Sequence, residues 1–134
     1  GDALVAEGKA GEAVPWYRQG LERLVKFGGS MGTCEGVRGL CLAIGLSSAD
    51  PEVRREAVEM VSAAGRHQGS MGLHLRRFDR EQRDLVVGEI RADMGDAAFD
   101  NAWNSGLTIE FDAMVERTFT LAGALEGDLA AAKA

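Results

Sequence analysis

Apolar residues recur along the chain at the three- and four-residue spacing of an α-helix, and they do not alternate with polar residues as a strand requires. The stretch from Gly11 to Lys26 shows this spacing clearly. Its apolar residues are Ala13, Val14, Trp16, Tyr17, Leu21, Leu24 and Val25. Pro15 falls in the first turn or so, where the backbone has little or no helical hydrogen bond to lose. We therefore predict a helix here, with these apolar side chains facing a core.

The same spacing predicts that the rest of the chain is also helical. Residues 2–7 are typical of the end of a helix, which Gly8 would close. Residues 66–77 contain both histidines and two glycines, and we predict a loop there. The further predicted helices lie at about 31–46, 51–65, 80–94 and 97–105, with a last one that begins at Thr108.

The order of these helices predicts the fold class. Asp50 followed by Pro51 is typical of a helix start, because Asp caps the N-terminus and Pro is tolerated at the first helical position. Successive helices with short connections pack as antiparallel hairpins. The first four segments form two such pairs of roughly 40 residues, the size of a repeat in an α-solenoid. We predict an all-α fold of antiparallel helical hairpins, with about five to seven helices.

The start of the first hairpin resembles a tetratricopeptide repeat. That repeat carries a glycine at the turn, then Glu-Ala, an aromatic residue and a small residue followed by leucine. Here these positions are Gly8, Glu12-Ala13, Tyr17 and Gly20-Leu21. The resemblance implies that the hairpins stack into a tetratricopeptide-like right-handed superhelix.

A second resemblance lies in the run from Met94 to Thr108, Met-Gly-Asp-Ala-Ala-Phe-Asp-Asn-Ala-Trp-Asn-Ser-Gly-Leu-Thr. It looks like the closing motif of tetratricopeptide-like arms in LuxR-type regulators and in adenylate-cyclase-associated predicted ATPases of bacteria. The chain departs from that motif at 104–105, where Ala-Glu is usual, and at 109–111, where a Glu-Glu-Ala run is usual. The resemblance implies a cytoplasmic regulatory arm of a larger signalling protein.

The physical interpretation of this motif is structural. Phe99 and Trp103 lie four residues apart, so they share one face of a short helix that Gly106 ends. Such a face can cover the apolar end of a stack of helices, as terminal repeats must. We expect stability to depend mainly on Trp16, Tyr17, Leu21, Leu24, Val37, Leu40, Phe99, Trp103 and Phe111.

The domain organisation predicted is a single helical-repeat domain over residues 1–127, followed by an Ala-rich frayed tail at 128–134. The chain begins with Gly1-Asp2 and resembles the middle of a helix, so we expect it to be a piece of a longer protein. A repeat array that is cut open exposes its first helix. Pairing of two copies through that helix is therefore an alternative to binding another protein.

Charge and hydropathy narrow the classes of partner. The net charge is −6, whereas a general nucleic-acid binder needs a basic surface. No apolar run is long enough to cross a bilayer. We expect partners to be other domains of the parent chain or a separate protein, without direct contact to nucleic acid or membrane.

The motifs of common catalytic sites are missing from the sequence. Gly8-Lys9-Ala10 lacks the glycine loop and the hydroxyl of a nucleotide-binding P-loop. Cys34 and Cys41 lie seven residues apart, which suits two buried thiols on one helix face better than a disulfide or a metal site. His67 and His74 have no third ligand at a matching spacing. We predict no catalytic residue, no cofactor and no metal site, and therefore no enzyme.

Arginines cluster around the predicted loop in an otherwise acidic chain. They are Arg66, Arg76, Arg77, Arg80 and Arg83. Asp79 and Glu81 lie among them, so one interpretation is a solvated helix start with internal ion pairs. The alternative is a docking patch for an acidic partner or a phosphate group.

These observations together predict a non-catalytic interaction or regulatory arm of a larger bacterial transcriptional regulator or signalling ATPase. A DNA-binding domain is one alternative, which the acidic charge disfavours. A small thiol- or metal-dependent enzyme is the other, which the missing motifs disfavour.

Overall fold

A computed structural model describes the backbone of residues 9–72 and 77–133. Within those ranges the chain forms six α-helices and no strand. They are α1 (Ala10–Phe27), α2 (Gly29–Ser47), α3 (Pro51–Ser70), α4 (Arg77–Met94), α5 (Asp96–Gly106) and α6 (Phe111–Lys133). The predicted all-α class and the approximate number of helices are confirmed. The superhelical arrangement stays a prediction, and the predicted helix end at 2–7 lies outside the described residues.

Helix α3 is longer than predicted, so the predicted loop at 66–77 is wrong over residues 66–70, and it is also wrong at Arg77, where α4 begins. The helix continues through Gly65 to Ser70. The last turns are held by contacts with other elements: Arg38 of α2 donates a hydrogen bond of 2.9 Å to the buried Gln68. Tertiary contacts thus outweigh the weak helix propensity of glycine at this point.

Helix α6 differs from the prediction at both ends. Thr108 does not begin the helix, because its hydroxyl donates back to the Ser105 carbonyl, at 3.0 Å, and extends the turn after α5. The helix starts at Phe111 and runs to Lys133. Residues 128–133 therefore have helical backbone, and the fraying of this tail stays a prediction.

The first three helices pack in sequence order as neighbours. Gly28 closes α1 by donating its N–H to the Leu24 carbonyl, at 2.8 Å, and α2 begins at the next residue. The start of α3 is the one predicted: the Asp50 carboxylate accepts the N–H of Glu52 at 2.9 Å, and Pro51 occupies the first position. These tight connections fix α1, α2 and α3 side by side.

Helix α6 lies across all three of these helices and completes the main core. Met114 and Leu125 of α6 are buried with Leu40 of α2 and Met60 of α3. We refer to α1, α2, α3 and α6 as the four-helix body. An ion pair of 2.8 Å between Arg18 and Glu126 joins its first and last helices at their edge.

Helices α4 and α5 form a smaller cluster beside this body. Ile90 is the buried residue of α4 among its described side chains, and it packs with Val58 of α3 and with Phe99 and Ala102 of α5. Phe99 and Trp103 share a face as predicted, with their rings stacked at 5.8 Å between centroids. Leu85 of α4 is 66% exposed.

One residue expected to stabilise the core is placed in solvent instead. Trp16 is 62% exposed. It follows the buried Val14 by two positions, which is about 200° around a helix, so both cannot face the same neighbours. The expectation that Trp16 stabilises the core is therefore wrong.

Candidate functional site

An open groove lies between the α1–α2 corner and the first turns of α6. Its volume is about 380 Å³, which is in the range of small binding sites. The groove is lined by Val25 of α1, by Gly29, Ser30 and Thr33 of α2, and by Phe111, Asp112, Val115 and Glu116 of α6. The groove therefore lies between the first two helices of the four-helix body and its last helix.

The α1–α2 side of the groove is shaped by a sharp turn. Gly29 has a φ of +67°, in the left-handed region where glycine is favoured, so the chain reverses within a very short connection. The buried Thr33 then donates its hydroxyl to the Gly29 carbonyl at 2.8 Å. This bond links the start of α2 to its second turn, where Thr33 lines the groove.

The α6 side of the groove is anchored to the end of α3. The ring of His67 meets the ring of Phe111 edge to face, with 5.6 Å between centroids. His67 Nε2 also lies 2.9 Å from the Ile109 carbonyl, and Arg66 donates to the same carbonyl at 3.0 Å. These contacts fix the connection that leads into α6, and they depend on the last turns of α3.

The groove combines apolar walls with an acidic rim. Val25, Phe111 and Val115 supply apolar surface, and Asp112 and Glu116 are exposed. Asp112 and Glu116 are four residues apart on α6, hence neighbours on one helix face. Among the described side chains, those of residues 9–72 and 80–127, no ion pair of 4 Å or less joins either carboxylate to a cation.

Large apolar side chains are also exposed at the α1–α2 corner, although Phe27 and Met31 are not part of the groove lining. Phe27, the last residue of α1, is 86% exposed, and Met31, in the first turn of α2, is 47% exposed. Val25, which lines the groove, is itself 44% exposed. Scattered apolar residues are ordinary on a protein surface, but a group of them at one corner is typical of an interaction site.

The two thiols lie inside the four-helix body, and neither lines the groove. Both Cys34 and Cys41 are buried and free. Burial raises the pKa of Cys41 to about 12, against a weak hydrogen-bonding contact of 3.7 Å with Thr118. Burial also raises the pKa of Cys34. The reactive thiolate is thus disfavoured at both positions.

The predicted arginine patch is spread over different elements. Arg76 lies outside the described residues, and Arg77 begins α4 with a side chain that is likewise outside the description. Arg66 hydrogen-bonds to the connection before α6, Arg80 is exposed, and Arg83 pairs with its neighbour Asp84 at 3.0 Å. Arg66 and Arg83 therefore have separate local partners, and a docking role for this patch stays a prediction.

Sequence reasoning missed the groove because its two walls come from distant parts of the chain. A partial signal was present: Asp112 and Glu116 have the spacing of one helix face, and Phe27 precedes a pair of glycines. Nothing local in the sequence says that these features meet.

Comparison of the chain with protein-family models, with curated proteins and with solved structures found no match. Among the described helices, none is both long and apolar enough to cross a membrane. Within the same residues, no group of three or more histidine, cysteine or acidic side chains is arranged to hold a metal ion.

Proposed function

We propose that this chain is a non-catalytic protein-interaction module and that the groove beside the α1–α2 corner is its binding surface. The observation that carries this proposal is an open groove with apolar Val25, Phe111 and Val115 in its lining, at a corner where Phe27 and Met31 are also exposed. Aromatic side chains and methionine are enriched at the centres of protein interfaces. A partner that covers this corner would remove that apolar surface from water, which is the main source of binding free energy.

Local contacts support both walls of the groove. Thr33 holds one wall through its bond to Gly29, and the contact of His67 with Phe111 holds the other. A preformed site loses less conformational entropy on binding than a flexible one. This supports a binding role for the groove over a merely incidental surface depression.

The proposed biological setting is a regulatory arm of a larger bacterial transcriptional regulator or signalling ATPase, in the cytoplasm. Its support is the resemblance of residues 94–108 to the closing motif of such arms. The geometry is compatible with a capping role for that motif, because Gly95 turns with a φ of +89° and Phe99 is buried against α3. In this setting the groove would bind another domain of the parent chain or a separate protein.

Site-specific photo-crosslinking tests the binding surface. A photoreactive amino acid would replace Phe27 or Met31 in cells that produce the protein, and adducts would be identified by mass spectrometry. Gln19, which is exposed on α1 and nearly two turns before Val25, is the control position. We expect one defined adduct from positions 27 and 31 and none from position 19. Absence of an adduct at 27 and 31, or the same adduct at 19, would contradict the proposal.

A further inference from the structure

We infer that the occupant of the groove is a cationic amphipathic helix, with large apolar side chains that enter the groove and with Lys or Arg beside them that face Asp112 and Glu116. This inference rests on the proposed function, because it names the chemistry of the partner that the same groove would bind. Three observations support it: the negative charge of the rim, the helical structure around the groove, and the poor fit of an extended peptide or a second copy of the chain.

The charges around the groove are unevenly distributed in favour of a cation. Asp112 and Glu116 bring two full negative charges to its rim. The N-termini of α2 and α6 both lie at the groove, and together they oppose these charges with the equivalent of roughly one positive charge. Lys26 is exposed in the last turn of α1, but it is not among the residues that line the groove. The lining as a whole is therefore negative.

The arrangement of the two acids on α6 leaves a repulsion that a partner can relieve. Like charges four residues apart on a helix destabilise it slightly. Asp112 is in the first turn, where the helix dipole favours a negative charge. Its carboxylate therefore stabilises the helix start even without a partner. Glu116 lies one turn further along and lacks that benefit. A cationic side chain placed between the two carboxylates would neutralise their repulsion.

Several arginines elsewhere among the described residues are paired with acids of the same chain. Arg18 pairs with Glu126, Arg55 with Glu52 and Arg91 with Asp96, each at 2.8 Å. No described cation pairs with Asp112 or Glu116 in this way. The rim thus offers charge that the described chain does not itself neutralise, and electrostatic complementarity of this kind mainly selects partners and speeds association.

The helical surroundings favour a helix over an extended peptide. An extended peptide usually adds to the open edge of a sheet, where it finds backbone hydrogen bonds. The described residues form no sheet, and a helix satisfies most of its backbone groups internally. Recognition must therefore occur through side chains, as when an amphipathic helix places its apolar face in a groove.

A second copy of the chain fits the groove poorly. Each copy carries a net charge of −6. A symmetric pairing through this corner would bring Asp112 and Glu116 of both copies close together, and like charges at an interface oppose association. The same acidic rim opposes nucleic acid and anionic membrane surfaces.

Matched synthetic peptides test the inference directly. Two helical peptides would share the same leucine positions and differ only in having lysine or glutamate at the flanking positions. Each would be titrated into the protein by NMR, with the methyl signals of Val25 and Val115 reporting the groove. We expect the lysine peptide to bind at the groove and the glutamate peptide to bind at least tenfold more weakly at low salt, with the difference shrinking as salt screens the charges.

A pair of charge-matched variants separates the rim from the overall charge. The test variant is D112N/E116Q, and the control is E12Q/E89Q, which removes two exposed acids from α1 and α4. Asp112 and Glu12 are both in the first turn of their helices, so the two variants also lose similar helix-dipole stabilisation. We expect roughly threefold to tenfold weaker binding of the lysine peptide by the test variant only.

Each outcome decides between the inference and the function on which it rests. Equal binding of the two peptides at the groove, or equal weakening in the two variants, would overturn the cationic partner and leave the binding groove intact. Binding of neither peptide would overturn the cationic helix as well, and the crosslinking at Phe27 would then decide separately whether the groove has a partner. An acidic protein captured at Phe27 would likewise overturn the inference while supporting the function.

Discussion

The four-helix body and the α4–α5 pair are both helical, but they bury very different amounts of apolar surface. In the body, Leu40, Ile44, Met60 and Met114 are fully buried and form one continuous core. Beside it, Ile90 is the one fully buried residue of α4 among its described side chains, with three partly buried apolar residues of the same helix packed around its cluster. Helix formation is therefore a poor guide to local stability, because most helical stability in proteins comes from packing.

This difference bears on the groove. Both of its walls belong to the four-helix body, which is expected to open only with global unfolding. Helix α4 is expected to open locally at a lower free energy, because few buried contacts hold it, whereas α5 packs closely against α3. A binding surface on the stable part of the molecule can stay in place while α4 fluctuates.

The largest effect should come from a cavity in the four-helix body. Leu40→Ala removes a fully buried side chain from the centre of α2, and we expect it to lower the free energy of unfolding by about 3–4 kcal/mol. Urea unfolding followed by circular dichroism measures this. A loss below about 1 kcal/mol would show that the core tolerates a cavity. It would then be no evidence that the four-helix body is the more tightly packed of the two regions.

The next effect concerns the contact between α5 and the body. A Cβ atom added at Gly106 would meet the backbone carbonyl of Glu59 and would lie 2.7 Å from Ser62 Cβ. Backbone cannot yield as a flexible side chain does, so we expect Gly106→Ala to cost about 2–3 kcal/mol.

Gly88→Ala is the matched control for this variant. Gly88 is exposed within α4, with open space where a methyl group would lie, so alanine should stabilise that helix by about 0.5–1 kcal/mol. Opposite signs for the two glycine variants are expected in thermal unfolding. Destabilisation by both, to the same extent, would rule out the specific contact of Gly106 with α3.

A smaller and more local effect is expected in α4. Ile90→Ala removes the buried residue that packs against Gly45 of α2, and we expect a cost of about 2 kcal/mol. The loss of protection from hydrogen exchange should be confined to α4 and α5, while the amides of α2 and α6 keep theirs. Equal loss of protection in α2 would show that the two regions unfold as one unit.

The smallest effect is a pH dependence of the free energy of unfolding, which arises from a thiol in the core of the four-helix body. Burial raises the pKa of Cys41 to about 12, above the ordinary value of an unfolded thiol. A raised folded pKa gives stability that is complete below the unfolded pKa and is lost as the pH rises toward the folded pKa. Between pH 7 and 9.5 we expect Cys41 to account for a loss of about 1 kcal/mol.

Cys41→Ala isolates this contribution from the other groups that titrate in the same range. The unfolding free energy of the variant should fall less between pH 7 and 9.5 than that of the unchanged protein. An identical fall in both proteins would mean that the thiol of Cys41 does not stay protonated in the folded state.

Much of the local structure follows from the sequence. The Asp50–Pro51 start of α3 and the shared face of Phe99 and Trp103 both appear as predicted. The prediction that both thiols are buried is also confirmed. Each of these features depends on residues a few positions apart, whose relations a helix fixes by its own geometry.

Periodicity by itself determined that this chain is helical and which residues share a helix face. It did not determine which face another element covers. Trp16 is in solvent, and α3 continues past Gly65, because of where other helices lie. The groove likewise exists only because α6 returns across α1 and α2 and brings Val115 beside Val25. Burial is a property of pairs of elements that meet in space, so only the tertiary structure decided it.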